Sequence, residues 1–460
     1  MSKHELFVFR TSEKLLEKAH ESGIEIPFQD NLSPLFEEIS LESKRIVNRL
    51  AVHPMEGFDG NTDGSPGDLT FRRYLRFARG GSALIWFEAT SVSPGGRSNP
   101  RQLWIHPKSL DGFRKLVEET RRCVFQEFDA ARTVYCVLQL THSGRYSKPE
   151  ARPEPRVALF NPLLDNQRKG LYVLSDDELD RLQERYVEAA RLAYQAGFDA
   201  VDIKACHGYL INELLAAYER KDSRYGDTFD NRARFLTEVV QKIRQEVPAL
   251  DLAVRLNAYD GLPYPFGFGV SKDEPSAFDL AEPIELISRL IKAGCRLFNI
   301  TAGIPYVQPY VGRPFNRPMK GSSAPPEHPL VGISRLLTLE AGLQNEFPRV
   351  PMVGTGFSWL RQFFPYVGAA VLARKEASFI GLGRMLFAYP DAPKELMEKG
   401  ALDPKKVCTT CSRCSEMMRW GEVSGCAVHD KEIYGPLYKQ IRKQLRKKLR
   451  EQSRKKRKEK

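Results

Sequence analysis

Four cysteines, Cys408, Cys411, Cys414 and Cys426, stand in the spacing C-x2-C-x2-C-x11-C. Three thiols in one tight loop with a fourth nearby suit a face of an iron–sulfur cubane, which takes one thiolate per iron. Zinc more often draws two ligands from each of two separated knuckles, and a C-x2-C-x2-C run crowds that tetrahedron. The spacing therefore points first to a [4Fe–4S] cluster, with zinc or unligated thiols as the alternatives. Iron at this position would make the protein one that moves electrons.

A second set of reactive side chains lies in the segment DIKACHGYLINELL, where Lys204, His207 and Tyr209 follow an apolar run. A tyrosine can give up a proton in a transition state, while histidine and lysine polarise a carbonyl. Taken singly, His142 and His207 read as hydrogen-bonded structural histidines; three such residues at one strand end are harder to explain that way. Arg255 interrupts another apolar run and is either half of a buried ion pair or a cofactor contact. Two glycine-rich turns precede helix-like stretches, Gly354-Thr355-Gly356 and the GLGR of Gly381–Arg384. Such turns are anion sites by geometry, and Arg384 adds charge, so a phosphate is expected there.

These residues need a frame. Short β-branched runs alternate with longer amphipathic stretches between about residues 45 and 400. The strands read as Ile46–His53, Ala83–Glu88, Val134–Leu140, Ala200–Lys204, Leu252–Asn257, Leu297–Thr301, Val350–Gly354 and Phe379–Leu382. The clearest helix spans Ser175–Gly197, opening on a Ser175/Glu178 capping box and closing on glycine. Eight strand–helix units predict an α/β fold, a (β/α)8 TIM barrel, whose chemistry sits at the C-terminal ends of its strands. A doubly wound sheet is the alternative, but no G-x-G-x-x-G follows the first strand. The loops after strands three, five and six are long, and the last two are rich in proline and aromatic residues, Tyr306 among them. That composition favours an ordered lid over a planar ligand. The division expected is an N-terminal arm (1–40), a barrel (41–400), a cysteine segment (401–435) and a basic helical tail (436–460).

Composition narrows the class. The chain has 460 residues, 42% of them hydrophobic, enough for a large core. It opens without an apolar signal core and holds no run of membrane-spanning length. Cys123, Cys136, Cys206 and Cys295 are scattered and form no disulfide framework. A reducing cytoplasm is the expected compartment. The net charge of +12 is concentrated: residues 439–460 carry 13 of the 70 basic and two of the 58 acidic residues. Within that tail Ile441, Leu445 and Leu449 form one thin apolar stripe. A solvated terminal helix is the plain reading; docking to an acidic redox partner or an anionic membrane surface are the sharper ones. Nucleic acid ranks last, because no folded basic face supports it.

In their order along the chain, QLTHSGR (Gln139–Arg145), HGYLINELL, DNRARF (Asp230–Phe235) and the four cysteines resemble the Old Yellow Enzyme family of FMN-dependent barrels. The cysteine segment resembles the branch that holds 2,4-dienoyl-CoA reductase and trimethylamine dehydrogenase. The resemblance covers roughly residues 44–435. It implies that Met55 and Ala89 pack on the flavin, Gln139 bonds its pyrimidine edge, and Arg255 lies near N1/O2. Gly354, Gly356, Gly383 and Arg384 would hold the FMN phosphate, Tyr209 would be the proton donor and His207 would bind substrate. Three departures stand out: Glu56 where relatives often have cysteine or threonine, Lys204 in place of a histidine, and KDSRYGD at residues 221–227.

The resulting expectation is an FMN and [4Fe–4S] ene-reductase acting on the C=C of an α,β-unsaturated carbonyl compound. Its electrons would come from a separate ferredoxin, flavodoxin or flavin reductase, since no nicotinamide-binding motif follows Cys426. The alternatives are an amine dehydrogenase or demethylase exporting electrons through the cluster, and, from another class, a zinc-containing binding protein. Homo-oligomer formation stays open.

Overall fold

The computed structural model describes residues 3–42, 44–128, 132–166, 170–274 and 276–458, with side chains as far as Lys447. Eight parallel strands close into a barrel in chain order. They are β1 (Leu50–Val52), β2 (Leu84–Ser91), β3 (Tyr135–Thr141), β4 (Ala200–Ala205), β5 (Asp251–Tyr259), β6 (Leu297–Ala302), β7 (Met352–Gly354) and β8 (Phe379–Leu382). Pairing of Ile380 with Leu50 and of Leu382 with Val52 completes the circle. Each strand overlaps one expected from the sequence.

The first expected strand is two elements. Lys44–Ile46 pairs antiparallel with Ile39–Leu41, and only Leu50–Val52 joins the barrel. Asn48 makes the break, because its side-chain oxygen accepts from the N–H groups of Leu50 (3.1 Å) and Ala83 (3.3 Å). A side chain that offers the backbone a local acceptor competes with the ladder.

Side chains alternate along each strand. On β4, Val201, Ile203 and Ala205 join the core beneath the helices, while Ala200, Asp202 and Lys204 share the opposite face. A second apolar cluster of Trp86, Val137, Ala200, Ala253, Leu297, Val353 and Phe379 packs with Leu41 and Ile46 of the hairpin. The hairpin thus floors the barrel, and the lumen turns polar towards the strands' C-terminal ends. Outside, the helix Asp176–Gln195 has the expected Ser175/Glu178 capping box.

The N-terminal arm packs against the barrel. Phe7 meets Trp359 edge-on at 5.1 Å, and Leu15 and Ala19 of the helix Ser12–Glu21 enter the main core. The Phe7 N–H donates to Asn316 Oδ1 (2.6 Å), and the Asn316 N–H donates to the Thr410 carbonyl (3.0 Å). Arg361 lies over the Phe7 ring and donates to the Thr409 carbonyl. The arm therefore reaches the cysteine loop. On the other side, Arg72 and Arg76 of the helix Asp68–Arg79 both hold Asp430 (2.7 and 2.9 Å). The helix Tyr434–Lys458 follows, burying Ile441 and partly burying Leu445 against Met417 and Tyr438. The Leu449 side chain lies outside the described residues. No helix among the described residues is long and apolar enough to cross a membrane.

The loop after β3 is fixed by Arg145, buried between the carboxylates of Asp165 and Glu213. Removing the cation leaves two buried negative charges, which is far costlier than losing a surface pair. Arg145→Met is expected to destabilise the protein by about 3–5 kcal/mol, measured as a shift in the urea unfolding midpoint.

Candidate functional site

The candidate site forms at the C-terminal mouth of the barrel, where β4 turns abruptly into the helix Leu210–Leu215. His207 (φ 66°) and Gly208 (φ 72°) both take the left-handed conformation there. For histidine that region is sparsely populated, and such residues gather at functional turns. The turn leaves Tyr209 at the helix start, its side chain buried beside Tyr146, Leu262 and Ile304. The Tyr209 hydroxyl donates to Glu56 Oε1 (3.1 Å) and lies 3.3 Å from the Tyr306 hydroxyl. Tyr306 stacks on Tyr146 with centroids 3.6 Å apart and planes 15° from parallel. The aromatic loop after β6 is thus an ordered part of the mouth.

Lys204 points at the same carboxylate. Its Nζ lies 3.4 Å from Glu56 Oε1 and 3.6 Å from the centre of the Tyr209 ring. Ser98 Oγ donates to the other oxygen of Glu56 at 3.0 Å. Burial lowers the Lys204 pKa, an effect that Glu56 opposes. Burial, and next the Glu56 charge, push the Tyr209 phenol well above its ordinary value. His207, whose Nε2 lies 3.4 Å from Thr301 Oγ1, is held neutral by burial and by Arg255. It can offer a hydrogen bond but not a charge.

Beneath these residues, Asp202 accepts from Gln139 Nε2 (2.6 Å), Trp86 Nε1 (2.8 Å) and the Arg255 N–H (2.5 Å). Its burial raises the carboxyl to about 6 against those three donors. Arg255 has no carboxylate partner among the described residues, and its Nε is buried without a hydrogen bond. A desolvated cation with an open donor is costly unless something else meets it. Ala89 follows Glu88 where the β2–β3 register slips, and bulges of that kind re-aim side chains beside active sites.

The glycine turns complete the other side of the mouth. A Cβ on Gly354 would meet the Glu340 carboxylate at 2.1 Å, and Gly356 takes φ 102°. Gly383 precedes the short helix Arg384–Ala388, and a Cβ there would lie 3.1 Å from Met55 Sδ. Arg384 donates to the Pro314 carbonyl through Nη2 (2.7 Å) and leaves a buried Nη1 unpartnered. His53 spans the two sides, with Nδ1 3.2 Å from Asn299 Nδ2 and Nε2 3.1 Å from Thr355 Oγ1. Open guanidinium donors beside side-chain-free turns fit a ligand that carries a phosphate and further acceptors, as FMN does.

All four cysteines are free thiols; Cys408 is buried and Cys411, Cys414 and Cys426 are half-buried. The Thr410 and His429 N–H groups donate to the sulfurs of Cys408 and Cys426, each at 3.3 Å. Arg384 acts electrostatically on Cys408, Arg313 on Cys414, and Arg361 on Cys408 and Cys411. Among the described residues Arg313 donates to Ser415 Oγ, Arg361 to the Thr409 carbonyl and Arg384 to the Pro314 carbonyl, none of them to a carboxylate. Sulfur-directed N–H groups and unneutralised cations suit thiolates carrying a negative cluster. Among the described residues, no group of three or more His, Cys, Asp or Glu side chains could hold a metal ion.

The structure gathers Lys204, His207 and Tyr209 at one mouth, with Gln139 and Arg255 joined to them through Asp202. Met55, Gly354, Gly356, Gly383 and Arg384 face them across His53, and the cysteine segment lies behind Arg384. Glu56 entered the sequence reading only as a departure from a pattern, yet it is where Lys204 and Tyr209 meet. Asp202 was overlooked, although its position two residues before Lys204 puts it on the same strand face. Tyr146 gave no signal, because its partner lies 160 residues further along the chain.

A closed eight-stranded barrel with such a mouth defines a class, the flavin-dependent TIM-barrel oxidoreductases. Residues 34–267, about half of the chain, match the model of the NADH:flavin oxidoreductase / NADH oxidase family. The chain belongs to that family and is an FMN-dependent oxidoreductase. It is 30% identical to an NADPH dehydrogenase of Clostridium acetobutylicum over 52% of this chain and 68% of that one. It is 26% identical to an NADH oxidase of Thermoanaerobacter brockii over 82% of this chain, but spans only about half (52%) of that relative's length. Among solved structures, a 2-naphthoyl-CoA reductase complex with 2-naphthoyl-CoA superposes with TM-score 0.71 at 20% identity, covering 89% of this chain and 58% of that one. Histamine dehydrogenase from Rhizobium sp. 4-9 gives TM-score 0.64 at 20% identity, with 86% and 52% covered. At that identity the likeness is one of fold. Family membership overturns the alternative of a zinc-containing binding protein without enzymatic activity.

Asp202 supplies a test of the polar layer. Its folded pKa, raised to about 6 from 3.8, means that the native state binds more protons than the unfolded one between those values. The stability it contributes is present below about pH 4 and is lost as the pH rises through about 6. In Asp202→Asn that slope is expected to vanish, measured by urea unfolding of both proteins across the window.

Proposed function

We propose that the chain carries FMN and a [4Fe–4S] cluster and acts as an ene-reductase on the activated C=C of an α,β-unsaturated carbonyl compound. The observation that carries this reading is the Tyr209 hydroxyl, buried, protonated and aimed into a mouth roofed by the Tyr146/Tyr306 stack. Met55 and Ala89 would lie against the flavin, with Gln139 and Arg255 at its polar edge and Gly354, Gly356, Gly383 and Arg384 around its phosphate. Cys408, Cys411, Cys414 and Cys426 would hold the cluster; a cubane brings an iron to each thiolate, so the four need not meet at one point. Residues 41–400 then form the flavin barrel and 401–435 the cluster segment. Bound, FMN supplies a hydride to the β-carbon and the cluster a route for single electrons.

The protein's own side chains do the rest. Tyr209 gives its proton to the α-carbon. The neutral His207 donates a hydrogen bond to the substrate carbonyl, where enolate charge develops. Lys204, expected to share that task, instead stands over the Tyr209 ring, where its charge stabilises the phenolate that forms. The flat Tyr146/Tyr306 roof excludes water and suits a planar conjugated substrate. The solved complex with 2-naphthoyl-CoA supports planar acyl thioesters as the class to test first. The eight free thiols and the proposed cluster fit a reducing compartment such as the cytoplasm.

The amine-dehydrogenase alternative draws support from the same tyrosines, which could cage a cation. The carboxylate beside them, however, is already paired with Lys204.

Anaerobically purified protein is expected to contain flavin and about four irons per chain. It should reduce a conjugated enone or enoyl thioester faster with reduced ferredoxin or flavodoxin than with NAD(P)H alone. Tyr209→Phe should keep its flavin and lose turnover by about 10²–10⁴-fold. Full turnover in that variant, or flavin reduction by amines and not reoxidation by enones, would refute the reading.

A further inference from the structure

The two departures from the family pattern that flank the mouth, Glu56 and Lys204, face each other. We infer that they form a relay that restores the proton Tyr209 gives away in each turnover. This rests on the ene-reductase reading above and adds two positioning residues to it.

The need for a relay follows from burial. Tyr209 is only 3% exposed, and its hydroxyl is held between Glu56 and Tyr306, so the shortest route for a returning proton runs through those partners. The titratable groups around the phenol are Glu56, Lys204, Tyr306 and Tyr146, whose ring centre lies 6.0 Å from that of Tyr209, with Arg419 lying 5.2 Å from the Tyr306 ring centre. Tyr306 is itself a phenol, pushed up to about 12 by burial, and a poor source of protons. Lys204 has protons to give but stands over the ring, not at the hydroxyl. Glu56 Oε1 connects them, 3.4 Å from Lys204 Nζ and 3.1 Å from the Tyr209 oxygen. Ser98 holds Oε2 at 3.0 Å, so Oε1 is kept between its two partners.

The proton balance closes. Tyr209 loses a proton to the substrate α-carbon and becomes a phenolate. One N–H bond of the Lys204 ammonium breaks as an O–H bond forms at Glu56 Oε1. That proton passes on to the phenolate, leaving Tyr209 neutral, Glu56 again a carboxylate and Lys204 a free amine. Solvent returns the proton to Lys204 when product leaves. The direction is downhill: lysine and tyrosine start from nearly equal values in water, and burial lowers the first while raising the second.

Substitutions separate a relay from a merely structural pair. Glu56→Gln keeps an acceptor for the Tyr209 hydroxyl but cannot carry a proton, and should lower kcat about 10²-fold with KM little changed. Lys204→Met should do the same, and the double variant should fall little further, because the two act as one unit. In Glu56→Ala, added formate should restore part of kcat. Absence of formate rescue, or additive losses in the double variant, would overturn the relay. A second measurement needs no substrate. The ultraviolet titration of tyrosinate, taken as the difference from Tyr209→Phe, should show Tyr209 ionising at lower pH in Glu56→Gln than in the wild type. An unchanged onset overturns the proposal, with flavin content and thermal unfolding recorded to show that each variant folds. Wild-type protein that reduces no enone would defeat the ene-reductase reading, while the phenol titration would still decide whether Glu56 acts on Tyr209.

Discussion

A carboxylate sealed inside the barrel organises the mouth above it. Asp202 accepts three hydrogen bonds, from Trp86 on β2, Gln139 on β3 and the Arg255 backbone on β5. One side chain therefore joins four adjacent strands at the level where the lumen changes from apolar to polar. A buried charge survives only when its acceptors are filled with good geometry. The same bond that satisfies Asp202 fixes the Gln139 amide, and the strand register sets Arg255 beside Lys204. The side chains that would meet a flavin are thus oriented by contacts among themselves.

Much of this was legible in the sequence. All eight strands overlap their expected segments, because parallel strands buried on both faces leave uninterrupted β-branched runs. The helix at Asp176–Gln195 announced itself by its capping box. The break at Asn48 was harder to see, since it depends on one amide finding two backbone donors, one of them 35 residues away. The candidate site divides in the same way. Tyr209, His207 and the glycine turns carry their meaning in local spacing. The pairing of Glu56 with Lys204 and the stacking of Tyr146 on Tyr306 exist only once distant strands are neighbours.

The cysteine segment is clasped to the barrel at several points. Asp430 holds Arg72 and Arg76, the Ser424 N–H donates to the Gly57 carbonyl, and the Cys408 N–H points at Met385 Sδ. Gly57 follows Glu56 directly, and its own N–H donates to Glu88 Oε2 (2.8 Å). The loop that presents Glu56 to Tyr209 is therefore also a support for the cysteines. Barrel mouth and cysteine loop share backbone, and a shift in one is felt by the other.

The junction at Asn316 has a bearing on biosynthesis. Residues near the start of the chain bond to Asn316, which in turn bonds to Thr410, between the first two cysteines. The arm's own partner, Asn316, follows Phe7 by 309 residues, and Thr410 follows Asn316 by a further 94. Docking of the arm therefore waits until Asn316 and Trp359 have been made. The loop proposed to receive iron is walled on one side by this contact, so the docking of the arm and the closure of that loop are coupled through Asn316.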